Sequence, residues 1–269
     1  MKRCLIILTV LLLISFQGVA LASDIKPMIP IAEQLSAAKI NDMEYDEENG
    51  FVCIEYSPAD SADLDYLFTL CAACGTFSIA SPDSSDGQTQ IYLLLVPGTD
   101  FAGYVTFAPQ EAYVRLFFPD SAGILEGDGL EALLAELYRI PRLPSGKGSN
   151  VLPQFYACVN RQPSRTGLQS DLSYAFDNQT CWTEIYDEID SDKLSCYTIK
   201  MLQFGCMVNC DVFLTDDEER FDPCVLHFSN GDAEIIVNFS ALRQSATVHY
   251  KPGVSYNLLE ARELAEAFE

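Results

Sequence analysis

The side chains with most chemistry to offer in this 269-residue chain are two short cysteine pairs and two histidines. Cys71-Ala72-Ala73-Cys74 has the spacing of a dithiol redox centre. In such a centre the first thiol opens a helix, where the dipole favours a thiolate. Here the pair falls at the end of a helical run, the unfavourable pole, so core packing or an incidental bridge is expected. Cys206-Met207-Val208-Asn209-Cys210 places two thiols on one face of a strand. With Cys196, Cys224, His227 or His249 they would suffice for zinc. No second paired knuckle accompanies them, and buried thiols or a disulfide are the simpler reading. His227 and His249 each lie in a strand-like run outside any motif. The chain carries no G-x-S-x-G, H-E-x-x-H, P-loop or G-x-G-x-x-G pattern. A catalytic set assembled in space from distant residues stays open, and paired carboxylates for glycoside hydrolysis are not identifiable in so acidic a chain. The expectation is a protein that is not an enzyme.

Two carboxylate runs bear on metals: Asp187-Glu188-Ile189-Asp190 and Asp216-Asp217-Glu218-Glu219. Neither has the spaced Asp/Asn and Gly of an EF-hand loop, so no cofactor is assigned and calcium stays open. Asn178-Gln179-Thr180 and Asn238-Phe239-Ser240 match the glycosylation sequon. The second falls inside a strand-like run, which argues for a chance match.

Composition narrows the partners. Residues 1–22 read as a signal peptide: Lys2 and Arg3, then the apolar run Cys4–Phe16, then the small-residue site Ala20-Leu21-Ala22. The mature chain is expected to start at Ser23, in a secreted or extracytoplasmic setting. Loss of two basic residues takes the formal net charge from −23 to about −25. Such a chain repels phosphate backbones and anionic lipid surfaces, which argues against nucleic acid and membrane as partners. Of ten cysteines, nine remain after cleavage, so they do not all pair.

The elements that would position these residues divide into two sets. Residues 23–140 read as an α+β module, an antiparallel sheet with packed helices. Its expected elements are a helix over Ile31–Ile40, a hairpin of Met43–Tyr45 and Phe51–Ser57 around Glu47-Glu48-Asn49-Gly50, and a helix over Asp60–Cys74 capped by Asp60 or Ser61 and ended by Gly75. Strands follow at Phe77–Ala80, Ile91–Val96, Tyr104–Phe107 and Ala112–Phe118, with a polar turn at Ser81–Gly87. A last helix covers Asp128–Ile140, started by Asp128 with Glu131 and stopped by Pro141. Pro141–Asn150 reads as a linker. Residues 151–269 read as an all-β jelly-roll-like sandwich. Its strand-like runs are Gln154–Val159, Cys181–Tyr186, Ser195–Leu202, Val208–Leu214, Pro223–Phe228, Ala233–Phe239 and Ala246–Tyr250. Ser229-Asn230-Gly231-Asp232 suits a tight hairpin, and Leu258–Phe268 reads as a helix or a final strand with a tail.

In the second half, Ala175-Phe176-Asp177-Asn178, Thr180-Cys181-Trp182, the run Leu226–Asp232 and Thr247–Tyr250 follow one another in an order that resembles the discoidin-like (F5/8 type C, galactose-binding-domain-like) β-sandwich. The resemblance covers roughly Val151–Tyr256. It departs from the family in a shorter Asp-to-Trp loop, in Asn178 where Gly is usual, and in a more helical C-terminal end. It implies that Asp177 and Thr180 are structural, and that the single Trp of the chain, Trp182, packs the core. It also implies a ligand on loops at one end. Aromatics near those loops, such as Tyr174, Tyr186 or Phe221, are candidates to stack on a sugar ring, though such residues are more often core. The function so implied is a secreted, non-enzymatic binding protein for a glycan or a cell-surface partner. The alternatives are an assembly module making protein contacts only, and a secreted hydrolase with an unrecognised site.

Overall fold

The structure is a computed structural model that describes residues 28–80, 89–99, 102–143, 150–170, 172, 174–214 and 221–269, without the side chains of 212–214 and 221. The signal-peptide reading, the Ser81–Gly87 turn, the Asp216–Glu219 run and most of the Pro141–Asn150 linker lie outside these residues. Helix and sheet are mixed, and two six-stranded antiparallel sheets dominate.

The first half starts with β1 (Met28–Pro30), β2 (Lys39–Asp46) and β3 (Phe51–Ser57), then α1 (Ser61–Ala73). A meander of β4 (Phe77–Ala80), β5 (Gln90–Leu95), β6 (Gly103–Ala108) and β7 (Tyr113–Pro119) follows, and β8 (Gly123–Leu125) and α2 (Gly127–Leu137) close it. The sheet order is β2-β3-β7-β6-β5-β4, and β1 pairs in parallel with β8. The hairpin expected at Asn49-Gly50 is present, with Gly50 at φ +66°. Helix α1 begins in a reciprocal capping box: Asp60 accepts from the Ala62 and Asp63 amides, and Asp63 accepts from the Asp60 amide. Gly75, at φ +77°, turns the chain out of it. Two expectations are corrected. Ile31–Ile40 is not a helix: Gln34 bridges Lys39, and Asp63 takes up the Ala37 and Ala38 amides that a helix would use. Helix α2 starts at Gly127 behind Glu126, not at a cap made by Asp128 and Glu131.

The second half repeats this order. It runs β9 (Val151–Pro153), α3 (Phe155–Val159), β10 (Arg165–Gln169), β11 (Cys181–Asp187) and α4 (Ser191–Gln203). It continues through β12 (Met207–Leu214), β13 (Phe221–Asn230), β14 (Ala233–Ser240), β15 (Ser245–Tyr250), β16 (Asn257–Leu259) and α5 (Ala261–Phe268). The sheet order is β10-β11-β15-β14-β13-β12, and β16 pairs in parallel with β9. Element for element this matches the first half, with α3 added. Helices α1 and α4 both have 13 residues, and both follow an Asp cap, Asp60 or Asp190, that accepts helix-start amides. Gly75 and Gly205 both end them with positive φ. Tyr56 and Tyr186 stand at the same place in β3 and β11, each fully buried.

Helices at 155–159 and 191–203 correct the all-β expectation for this half, since Gln154–Val159 and Ser195–Leu202 are helical rather than extended, while the helix at 261–268 agrees with the helical reading of Leu258–Phe268. The cause in α4 is its cap and period: Leu194, Tyr197, Thr198 and Met201 recur at helical spacing and are buried. Tyr197 and Met201 join Leu226, Phe228, Val237 and Val248 in the core between helix and sheet.

The two halves meet through equivalent elements, α1 against α4 and β4 against β12, as the subunits of a two-fold dimer would. Ala72 and Phe77 of the first half belong to the core of the second, and Ile199 and Leu202 pack on the core of the first. Lys200 Nζ lies 2.5 Å from Glu136 Oε1, and Gln203 donates to the Glu136 carbonyl. Beyond α2, Arg139 donates to the Phe268 carbonyl and the Arg142 amide to the Ala267 carbonyl, so the start of the expected linker is bound to α5.

Candidate functional site

Each six-stranded sheet has one face on its helices. In the first half Ile54, Tyr56, Val105, Val114, Leu116 and Phe118 fill that side and are buried. The alternate residues point the other way. Across the strands they form two rows, read from the pairing register: Glu44, Cys53, Phe117, Tyr104 and Leu93, then Asp42, Glu55, Arg115, Thr106 and Ile91. Glu44, Cys53, Phe117, Tyr104, Asp42, Glu55 and Arg115 of these rows, with Tyr45, Asp46, Asn49 and Phe51, line a hollow of about 670 Å³. Its lining comes wholly from β2, the turn after it, β3, β6 and β7.

The floor is aromatic and the rim acidic. Tyr104 and Phe117 stack with centroids 4.4 Å apart and planes 9° apart. Gly103 makes this possible, because a Cβ there would collide with the Phe117 carbonyl. Arg115 Nε donates to Glu55 Oε2 at 2.8 Å, and its guanidinium lies 4.3 Å from the Tyr113 ring centroid. Asn41 donates to Glu55 Oε1 at 3.0 Å. The Arg115 hydrogen bond, against the opposing pull of burial, holds the Glu55 carboxyl below the usual carboxylate range. Burial pushes the Cys53 thiol up to about 11, so it is an apolar thiol here, not a thiolate. Asp42, Glu44 and Asp46 on β2 are exposed and unmatched by that one guanidinium.

The corresponding face of the second half is covered in part by its own chain, leaving a smaller hollow of about 370 Å³ beside His227 and Ile236. Its row reads Thr183, His249, Ile236, His227 and Asn209. Where the first half turns within 47–50, the second uses residues 170–180 between β10 and β11. Leu172, Tyr174, Ala175 and Phe176 of that connection pack on Val225 and Ile236. The Tyr174 hydroxyl and His249 Nε2 share a hydrogen bond at 2.9 Å, and His249 Nδ1 shares another with Thr183 Oγ1 at 2.9 Å. His249 is fully buried, and burial lowers its pKa to about 4, so it is neutral.

The residues singled out in the sequence are scattered. Tyr174 is this internal plug. Tyr186 lies in the core, donating to Glu184 at 2.5 Å, not on a loop. Phe221 has its side chain outside the described residues. Asp177 and Thr180 are exposed, Asp177 at φ +52°. Trp182, expected inside, is 45% exposed. The two chemical pairings fare differently. Cys206, Cys210 and Cys224 are on the helix side of the second sheet, while His227 and His249 point to the other, so one ion cannot reach both sets. Cys196 is exposed on α4. Among the described residues no three His, Cys, Asp or Glu side chains converge as metal ligands. Asp190 caps α4 and pairs with Lys193, and Glu188 pairs with Arg161. Cys71 and Cys74 are free thiols at the end of α1, both raised by burial, Cys74 to about 12. His227 sits between Asp211 at 3.2 Å and Glu234 at 3.6 Å, in a shallow hollow whose described lining holds no Ser, Thr or Cys.

The open aromatic face was missed in sequence because its residues alternate with core residues in strands and have no motif. The repeat would have pointed to it: a short turn in one half and a long connection in the other. Comparison with protein-family models, with curated proteins and with solved structures returned no match.

Proposed function

We propose that the chain is a non-enzymatic, extracytoplasmic binding protein built from two copies of one mixed helix-and-sheet design. Its first sheet face holds an aromatic, basic segment of a partner protein. The observation that carries this is the contrast between the two faces. The second half covers part of its face with its own Tyr174-Ala175-Phe176 segment, and among the described residues nothing covers the equivalent face of the first half. A segment from a partner would supply there what residues 170–180 supply in the second half. Aromatic side chains suit a floor of Tyr104 and Phe117. Lys or Arg suits the carboxylates of Asp42, Glu44 and Asp46, and a chain of net charge −23 steers a basic partner toward them. The glycan reading of the second half rests on its discoidin-like resemblance alone.

The experiment is a peptide-display selection on the full mature chain, counter-selected on a variant carrying Tyr104→Ser and Phe117→Ser. Both residues are only half-buried, so the variant is expected to fold. Enrichment of peptides combining Phe, Tyr or Trp with Lys or Arg, bound by the wild type and not the variant, is expected. Enriched peptides that bind both equally would end the proposal.

A further inference from the structure

A second, unrelated feature lies on the helix side of the second sheet. Strand β11 carries Trp182, Glu184 and Tyr186 on that side. At the position of Glu184 the first half has Ile54, which is fully buried in the core. A carboxylate therefore occupies a core position of the shared design, and it is 7% exposed. Glu184 Oε2 accepts from the Tyr186 hydroxyl at 2.5 Å and from the Tyr250 hydroxyl at 3.0 Å. No cation pairs with it among the described residues. Lys251, which lines the same groove, has its Nζ 3.3 Å from Glu234 Oε2 instead. A buried carboxylate held by neutral donors alone is an incompletely compensated charge.

Glu184 lies along a groove of about 350 Å³. Leu168, Trp182, Tyr250, Tyr256 and Leu258 supply its apolar wall. Leu168 is 71% exposed and Trp182 45%, beside one another in the β10–β11 register. An exposed indole next to a buried carboxylate joins the two elements that recognise an alkylated cation: a π face and an opposite charge. A neutral sugar would leave the charge uncompensated, and an anion would be repelled by it. We propose that this groove binds a small alkylammonium ion, its charge facing Glu184 and its methyl or methylene groups against Trp182. This site is on a different sheet and face from the partner-binding surface, and neither depends on the other.

Trp182 is the single tryptophan of the chain, so fluorescence excited on the red edge of the tryptophan band, where the 13 tyrosines do not absorb, reports this groove. The full mature protein would be titrated with choline, with its neutral carbon isostere dimethylbutanol, and with N-acetyl-lysine amide. The expected result is a saturable change with choline, at least about tenfold weaker with the isostere, and weakened by salt. Glu184→Gln, which keeps size and hydrogen-bonding capacity, is expected to abolish the preference for choline while far-UV circular dichroism is unchanged. The choline–isostere comparison uses the unaltered chain, so it decides even where that variant fails to fold. Equal responses to both, or no response to choline, would overturn the proposal. A response to the lysine amide with choline silent would overturn the small-ion assignment in favour of a protein side chain.

Discussion

His249 shows how one side chain distinguishes the partly covered face from the open one. Its partner in the other half is Phe117, which needs no hydrogen bond and stays half-exposed. His249 is sealed under Tyr174 and kept neutral, with a folded pKa of about 4 against an ordinary 6.5. The unfolded chain therefore takes up a proton first as pH falls. The stability that His249 contributes is complete above pH 6.5 and is lost on acidification from there to about 4. The slope from this group reaches at most about 1.4 kcal/mol per pH unit. His249→Phe should flatten that part of the profile, and should cost about 1–3 kcal/mol at neutral pH through the hydrogen bonds lost by Tyr174 and Thr183. Urea unfolding at stepped pH checks both. An unchanged slope between pH 6.5 and 4 would show that His249 is not the group responsible.

Among the elements, β4 tests whether the two halves fold as one body. Phe77 belongs to the first half in sequence but to the second in packing, where it is 2% exposed. Phe77→Ala should cost about 3–5 kcal/mol, and the loss should be seen by Trp182, which reports the second half, together with far-UV circular dichroism, which reports both. Two separated transitions, with Trp182 unaffected, would contradict the shared core. Most elements of the first half are legible because local signals agree: Asn49-Gly50 for the hairpin, and Asp60 and Gly75 for the ends of α1. Ile31–Ile40 is not, because its apolar period is spent on burying Ile31, Ala32, Leu35 and Ala38 in an irregular segment. Helix α4 reads as strand in sequence because Tyr197, Thr198 and Ile199 favour strands locally. The same Asp-Ser start and the same glycine end as α1 mark it as a helix once the halves are aligned. Trp182 was placed inside by the discoidin-like resemblance, and the register puts it at the rim of a groove instead.

At the scale of the whole molecule, duplication explains why one design carries two surfaces. The paired helices and β4 against β12 bury the shared interface, and each sheet keeps its far face for other use. One half covers part of that face with the 170–180 connection, and the other presents stacked aromatics inside a carboxylate rim. On the proposed reading, the strong negative charge would draw a basic partner and repel an acidic one, with an effect that salt weakens. The decisive measurement is amide chemical-shift mapping of the full mature chain with the tightest peptide from the display selection. Shifts should concentrate on Glu44, Cys53, Phe117 and Tyr104 and on the neighbouring row of Glu55, Arg115 and Thr106. Shifts confined to the helices or to the second half, with those rows silent, would contradict the assignment of the open face as the binding surface.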